Sequence, residues 1–370
     1  MNYLKRAYTS FATYVYDIPP RLLAFFVLIL FVLLPMMQLD IYTIYTLTSA
    51  SLMAIFAASW DLLVGRTGQM SLGHALFYGI GGYSTALLFQ RFGWPFWITI
   101  PLSMLIGFAV ALLIGIPCLR LKGPYLALVT MAFPLVLTSG VYYFRDVTGG
   151  EYGIHGLPSF FPGLPPVQRL LAQYYLALSL LAVSAIILYK IANSKTGMVF
   201  VSILDDELSS KASGIDVTKY KLIAFGISGL FASLAGCIQA HILRVANPPM
   251  FSLTISIVPL IVTILGGIGT IYGPLVGTYI YFLLDRYVFT VVIPIDKWEF
   301  FGIEWIHVKF LIFVLIVVVF VLKWPRGIAR TVVDKLEDLQ EARPVKVVYE
   351  EKEKRNKKKK FSGENVYASS

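Results

Sequence analysis

Cysteine and charge are both scarce in this chain: 370 residues carry two cysteines and only 14% Asp, Glu, Lys and Arg. Cys118 and Cys237 lie in or at the end of apolar runs with no second pair nearby, which excludes a cysteine metal box and leaves two small packing residues. Soluble domains carry about 25% charged residues. A chain so poor in charge and 57% hydrophobic belongs in a membrane. Histidine is sparse too, four residues with no local cluster, which argues against an enzyme built on acids, bases or metal ligands. There is no Gly-Lys dipeptide and hence no G-x-x-x-x-G-K-S/T phosphate loop. H-E-x-x-H and G-x-S-x-G are missing, and the glycines near Gly79 and Gly267 neither match G-x-G-x-x-G nor follow a strand. No catalytic residue, metal ligand or cofactor is assigned to this chain; if it uses ATP, another chain hydrolyses it.

What the sequence does have is long apolar runs, several reaching the roughly 20 residues that cross about 30 Å of hydrocarbon as a helix. None alternates like a porin strand. The expected fold class is therefore an all-α polytopic membrane protein. About ten candidate helices are read near 22–38, 42–64, 74–90, 95–118, 124–143, 170–190, 220–243, 253–268, 273–292 and 308–322. Those at 42–64 and 253–268 are either complete crossings or re-entrant. The first run follows a basic, aromatic N-terminus and lacks a small-residue cleavage site, so it reads as a retained helix. The net charge of +10 is distributed like membrane topology, not like a nucleic-acid footprint: Lys5, Arg6 and Arg21, then Arg66, Arg120, Lys122, Lys195, Lys211, Lys219, Lys221, Lys323, Arg326 and Arg330, fall on one side. That side is the cytoplasm, with both termini and the loop at 193–219. Residues 1–330 form the permeation domain, and 331–370, with "EEKEKRNKKKK", a charged tail expected to be disordered and to rest on anionic lipid.

Two glycine-rich breaks interrupt the apolar pattern. "TGQMSLGHALFYGIGGY", residues 67–83, places Gln69, Ser71 and His74 between two spans, with Gly65, Gly68 and Gly73 to allow turns. "LGGIGTIYGPLVG", residues 265–277, interrupts the later half. Irregular backbone at membrane depth occurs where protein or a wet cavity covers it, and paired breaks point to a transport site. Gly269, Gly273 and Gly277 also read as a tandem GxxxG row for close helix packing. Asp61 and Asp285 are the ionisable groups within spans; Asp285 and its neighbour Arg286 do not share a helix face, and the span is expected to end near Leu284. The following "YVFTVVIPIDKWEFFGIEW" then becomes an external interfacial segment. In "ILDDELSSKASGIDVTKYKLIAF" one amphipathic helix is expected from Leu204 through Ala212, with a stop at Gly214. A short helix lying under the membrane and turning into a span suits the transmission of force from a soluble partner.

"WDLLVGRTGQMSLGHALFYGIGGYSTALL", "YLALVTMAFPLVL", "TGGEYGIHGLP", "DDELSSKASGIDVTKYKLIAF", "LGGIGTIYGPLVGTYI" and "LKWPRGI", in this order over roughly residues 40–330, resemble the LivM-type permease subunits of branched-chain amino acid ABC importers. The resemblance implies a second, related permease, two ABC ATPase subunits that bind ATP and Mg, and an extracytoplasmic substrate-binding protein. It implies alternating access in the cell membrane. It also implies that residues 203–216 are the segment docking into the ATPase, with Asp205, Asp206, Glu207, Ser210, Lys211, Gly214 and Ile215 at the contact. Glu207 and Gly214 match the family pattern; Ser209 and Ser210 replace its alanine pair, and Lys211 stands where an acid is common. A weak substrate site would be walled by Gln69, Ser71, His74, Thr130, Gly266, Gly267 and Gly269. Relatives of this type also serve urea, short amides or aromatic acids. A self-contained secondary transporter would need coupling-ion groups in its spans, which offer little beyond Asp61 and Asp285.

Overall fold

The computed structural model describes residues 40–121, 123–286, 315, 318–320, 322–324, 327–331 and 333. The expected helix at 22–38, the interfacial segment after residue 286 and the tail beyond 333 lie outside them. The chain divides into two units, Met1–Leu33 with Thr331–Ser370, and Leu34–Arg330. The second contains the elements described below.

Helices α1 (Ile41–Thr67), α2 (Ala75–Phe92), α3 (Phe96–Cys118) and α4 (Pro124–Tyr143) are followed by a short α5 (Arg145–Thr148), strand β1 (Ile154–His155) and helix α6 (Pro166–Ala192). Then come α7 (Lys195–Asp205), α8 (Glu207–Ala212), α9 (Val217–Leu243), strand β2 (Val245–Ala246), a 3-10 turn at Pro248–Phe251, α10 (Leu253–Gly266) and α11 (Tyr272–Arg286). Among the described residues, α1, α3, α4, α6 and α9 are long and apolar enough to cross a membrane. This is an all-α polytopic membrane protein.

Helix α1 is unbroken over 27 residues, about 40 Å at 1.5 Å per residue, which is long enough for a complete crossing. It stops where Gly68 takes φ 70° and returns its N–H to the Val64 carbonyl. Helix α10 has 14 residues, about 21 Å, too short to cross alone. In the apolar windows of α1 and α9, 89% and 72% of residues are buried, against 33%, 22% and 33% in α3, α4 and α6. The first two are therefore the core and the others present their apolar faces outward.

Small residues let the core helices approach. A Cβ at Gly81 of α2 would collide with the Ser233 carbonyl of α9, and one at Gly236 of α9 with the Tyr78 carbonyl of α2. Lipid is as apolar as leucine, so helices associate through such van der Waals contact and through hydrogen bonds. Ser233 Oγ donates to the Phe77 carbonyl at 2.9 Å, and Ser51 and Tyr279 hydroxyls meet at 2.7 Å between α1 and α11. Cys118 and Cys237 are both buried and unbridged.

Helices α6 and α9 set two ends of the bundle. At one, β1 pairs antiparallel with β2, Ile154 opposite Ala246 and His155 opposite Val245. Buried His241 ties this strap down: Nδ1 donates to the Pro158 carbonyl at 3.0 Å, and Nε2 lies 3.0 Å from the Thr85 hydroxyl. At the other end lies the α7–α8 hairpin. It differs from the single amphipathic helix expected over Leu204–Ala212. Asp206 adopts extended backbone, φ −154° and ψ 110°, and divides that stretch in two. The GxxxG expectation also changes: Gly273 and Gly277 pack from α11 against the α10 backbone, whereas Gly269 sits in the intervening turn at φ 77°.

Candidate functional site

Three consecutive residues near the end of α1 organise both breaks. Ser59, Trp60 and Asp61 are each buried; the first two reach the first break and Asp61 reaches the second. Ser59 Oγ lies 3.0 Å from His74 Nε2. Trp60 Nε1 donates to the Ser71 carbonyl at 2.8 Å. Asp61 accepts from the backbone N–H groups of Gly269 (2.6 Å) and Ile271 (3.0 Å). The two glycine-rich breaks, some 200 residues apart in the chain, thus flank one stretch of one helix.

In the first break Gln69, Ser71 and His74 are all buried. Gln69 Nε2 donates to Thr67 Oγ1 at 2.9 Å and points toward the Lys221 carbonyl of α9 at 3.4 Å. Its Oε1 has no hydrogen-bond partner among the described residues. Thr130 Oγ1 accepts the Leu72 N–H at 3.1 Å and donates to the Ala127 carbonyl, clamping α4 onto the break. Gly73 has to be glycine here, because a Cβ would strike the Thr130 carbonyl. The Ser59 and Ser228 hydroxyls each donate to a backbone carbonyl, Phe56 and Ser59 respectively, both at 2.7 Å. With those protons committed, His74 Nε2 carries a hydrogen and donates to Ser59 Oγ. Its Nδ1 is left without a partner among the described residues, and the ring packs against Phe56 and Phe77.

In the second break Gly266, Gly267 and Gly269 lie where α10, α11 and α1 converge. Cβ atoms at Gly266 and Gly277 would overlap the backbones facing them. A Cβ at Gly65 would come within 2.6 Å of Gly269 N. The sequence singles out Asp61 but not its neighbours. The signal available for Ser59 and Trp60 is polar capacity inside an apolar span, one turn before a break. Arg286 bridges to Asp40 at 2.9 Å and lies over Tyr42.

The α7–α8 hairpin gathers the remaining candidates. Ser194 caps α7. Asp205 ends it, exposed, and Asp206 caps α8 by accepting from Leu208 N (2.8 Å), Ser209 N (3.1 Å) and Ser209 Oγ (2.7 Å). Those bonds, the Ser209 hydroxyl foremost, hold the Asp206 carboxyl below its ordinary range. Ser210 is buried and locks the two short helices together, its Oγ 2.7 Å from Ser202 Oγ and 2.9 Å from the Ser202 carbonyl. Glu207 accepts from Lys221 Nζ at 2.8 Å and Lys211 Nζ at 2.9 Å. The Lys221 bond is the larger cause that pulls the Glu207 carboxyl down to about 2. Gly214 takes φ 83°, and the Ile215 N–H returns to the Ser210 carbonyl at 3.1 Å. Residues Met198, Val201, Asp205, Asp206, Ser209 and Ser213 edge a shallow groove on this hairpin. Among the described residues no group of three His, Cys, Asp or Glu side chains stands together to hold a metal.

Residues 42–328 match the family model of the branched-chain amino acid transport system / permease component. Two relatives, the high-affinity branched-chain amino acid transport system permease proteins LivM of Salmonella typhimurium and Escherichia coli, are each 30% identical, over 246 and 251 residues. These matches take in 60% and 62% of this chain and 58% and 59% of theirs. The probable branched-chain amino acid transport permease protein LivM of Methanocaldococcus jannaschii is 22% identical over 199 residues, 52% of this chain and 57% of that protein. The chain thus spans less than two thirds of the length of the curated relatives it matches. No solved structure matches it. The family model covers α1, both breaks and the α7–α8 hairpin. This chain therefore belongs to the branched-chain amino acid transport permease family.

Proposed function

We propose that this protein is the non-catalytic permease subunit of an ATP-driven importer of branched-chain or other hydrophobic amino acids. It works with a second related permease, two ABC ATPases that bind ATP and Mg, and an extracytoplasmic binding protein. The α7–α8 hairpin and both termini face the cytoplasm, following the distribution of Lys and Arg. The first 330 residues form the permeation domain and the remainder a charged cytoplasmic tail.

One observation carries the reading: the hairpin is tied to the core through Glu207–Lys221 at 2.8 Å, at the start of a helix that is itself central to the bundle. Ser202–Ser210 makes α7 and α8 one body. Displacing that body moves Lys221, whose carbonyl faces Gln69, and Leu204, whose Cδ1 would be 3.0 Å from a Cβ at Gly68. Motion of an ATPase docked on the groove edged by Asp205, Asp206 and Ser209 therefore reaches the first break mechanically. ATP binding draws the ATPases together, the hairpins follow, and the permease pair rocks between outward-facing and inward-facing arrangements. Gln69, Ser71, His74, Thr130 and the Gly266–Gly269 turn border the pathway. A ligand shifts such an equilibrium only through differential affinity, so substrate delivered by a binding protein needs only a weak site here.

The test is Glu207→Arg combined with Gly214→Pro, which reverses the charge facing Lys221 and removes the left-handed turn. The chain is expected to insert and assemble yet lose stimulation of ATPase activity by liganded binding protein. Stimulation equal to the parent's would refute the coupling role.

A further inference from the structure

We propose that Asp61 is a positioning residue whose carboxylate latches the α10–α11 break shut in one transport conformation, and that the break moves when the latch releases. The latch itself follows from the geometry; what its release does rests on the transport reading above. Both carboxylate oxygens are engaged, each by a backbone N–H of the same turn, Gly269 at 2.6 Å and Ile271 at 3.0 Å. A buried carboxylate committed to two backbone donors holds the turn at a single point of α1.

The turn being held is not relaxed. Gly267 and Gly269 have φ 125° and 77°, and Ile271 has φ 63°. Glycine adopts such angles freely, but a β-branched residue in the left-handed region is an outlier that persists only when its surroundings over-determine it. Ile271 is one of the two residues whose N–H Asp61 grips, so the carboxylate helps to hold the strained angle. Around it the backbones are in near contact: Gly269 against Gly65 of α1, and Gly267 against Gly327. Helix α10, ending in this turn, is too short to be anchored at both faces of a membrane. A strained turn, a short helix behind it and one buried carboxylate holding it make a bistable element. Arg66, five residues along α1, has its Nε buried without a hydrogen-bond partner among the described residues.

Ile268, 43% exposed in the same turn, reports the latch once changed to cysteine, because Cys118 and Cys237 are both buried. The full chain carrying Ile268→Cys is reacted with a membrane-impermeant maleimide in sealed inverted vesicles. Adding Asp61→Asn, which removes the charge and offers an N–H where an acceptor is needed, is expected to speed labelling about tenfold, the scale of a lost charge-assisted hydrogen bond. Asp61→Glu is expected to restore slow labelling. Gly65→Ala inserts one methyl against both the Asp61 Oδ1 atom and the Gly269 backbone that it holds, and is expected to speed labelling as well. Equal labelling in parent, Asp61→Asn and Gly65→Ala chains overturns the latch. In a complex reconstituted with its ATPases and binding protein, ATP is expected to change the labelling rate of the parent chain. If that complex takes up leucine while ATP leaves labelling unchanged, the latch plays no part in transport. Failure of the transport reading shows differently, as no uptake by the complete parent complex.

Discussion

Glu207 is the residue where the electrostatics are most open to test. Its carboxyl is held at about 2 by Lys221 and then Lys211, below its ordinary value of 4.5. A depressed acid adds stability that is complete above the unfolded value and is lost as pH falls toward the folded one. The grip of α8 on α9 is thus expected to be constant above pH 4.5 and to weaken from there down to about pH 2. Hydrogen exchange of residues 207–214 in the detergent-solubilised protein, read across that range, checks it; Glu207→Gln is expected to reduce the dependence to the part contributed by the Asp206 cap. His74 makes a contrasting case. Ser59 and Ser228 already donate to backbone carbonyls, so His74→Leu orphans neither hydroxyl and removes an unpartnered Nδ1. The change is close to volume-conserving, and its expected cost is below about 1.5 kcal/mol. Thermal unfolding of the purified variant measures this, and a fall in uptake without a fall in stability assigns His74 to the pathway.

At the level of elements, the break between α7 and α8 depends on Asp206. The stretch from Leu204 to Ala212 reads as one helix, yet Asp206 leaves helical geometry because its short carboxylate satisfies Leu208 N and Ser209 N, which a new helix start would otherwise leave bare. Asp206→Ala is expected to fray the first turn of α8, seen as faster amide exchange at Leu208 and Ser209 while α9 is unaffected. No periodicity in the sequence distinguishes this from a straight helix; Asp205 and Asp206 both look like acids near a helix end, and only the backbone angles tell which one caps. Among the described residues the long helices were legible. Apolar runs at 42–64, 95–118 and 124–143 became α1, α3 and α4 with ends within a few residues, since a length of about 20 apolar residues has few other solutions. The short α10 was not, because an apolar run of 14–16 residues suits a short crossing, a re-entrant segment or a buried helix equally.

For the whole molecule, α6 and α9 each run 27 residues between the strap at β1–β2 and the α7–α8 hairpin. The two features therefore lie at opposite ends, and they are expected on opposite sides of the membrane. Asp205→Cys and Tyr152→Cys place exposed thiols at those ends, Tyr152 being 80% exposed. An impermeant maleimide is expected to label the first only in inverted vesicles and the second only in right-side-out spheroplasts. Labelling of both from one side would refute the topology read from the positive charges.

The sequence by itself determined that this protein is a helical membrane protein, where its long apolar helices lie, where glycine-rich stretches interrupt them and which family it resembles. These follow from length, polarity and motif order, all properties of contiguous residues. Only the tertiary structure decided what holds the breaks. That Ser59, Trp60 and Asp61 hold two breaks apart in sequence, that Gly81 and Gly236 admit the backbones of α9 and α2, and that Glu207 binds Lys221 across a turn all depend on which helix faces which. Hydropathy cannot rank those pairings, because in lipid every apolar face is equally content. The choice falls to close packing at small residues and to the few buried polar groups that must find partners.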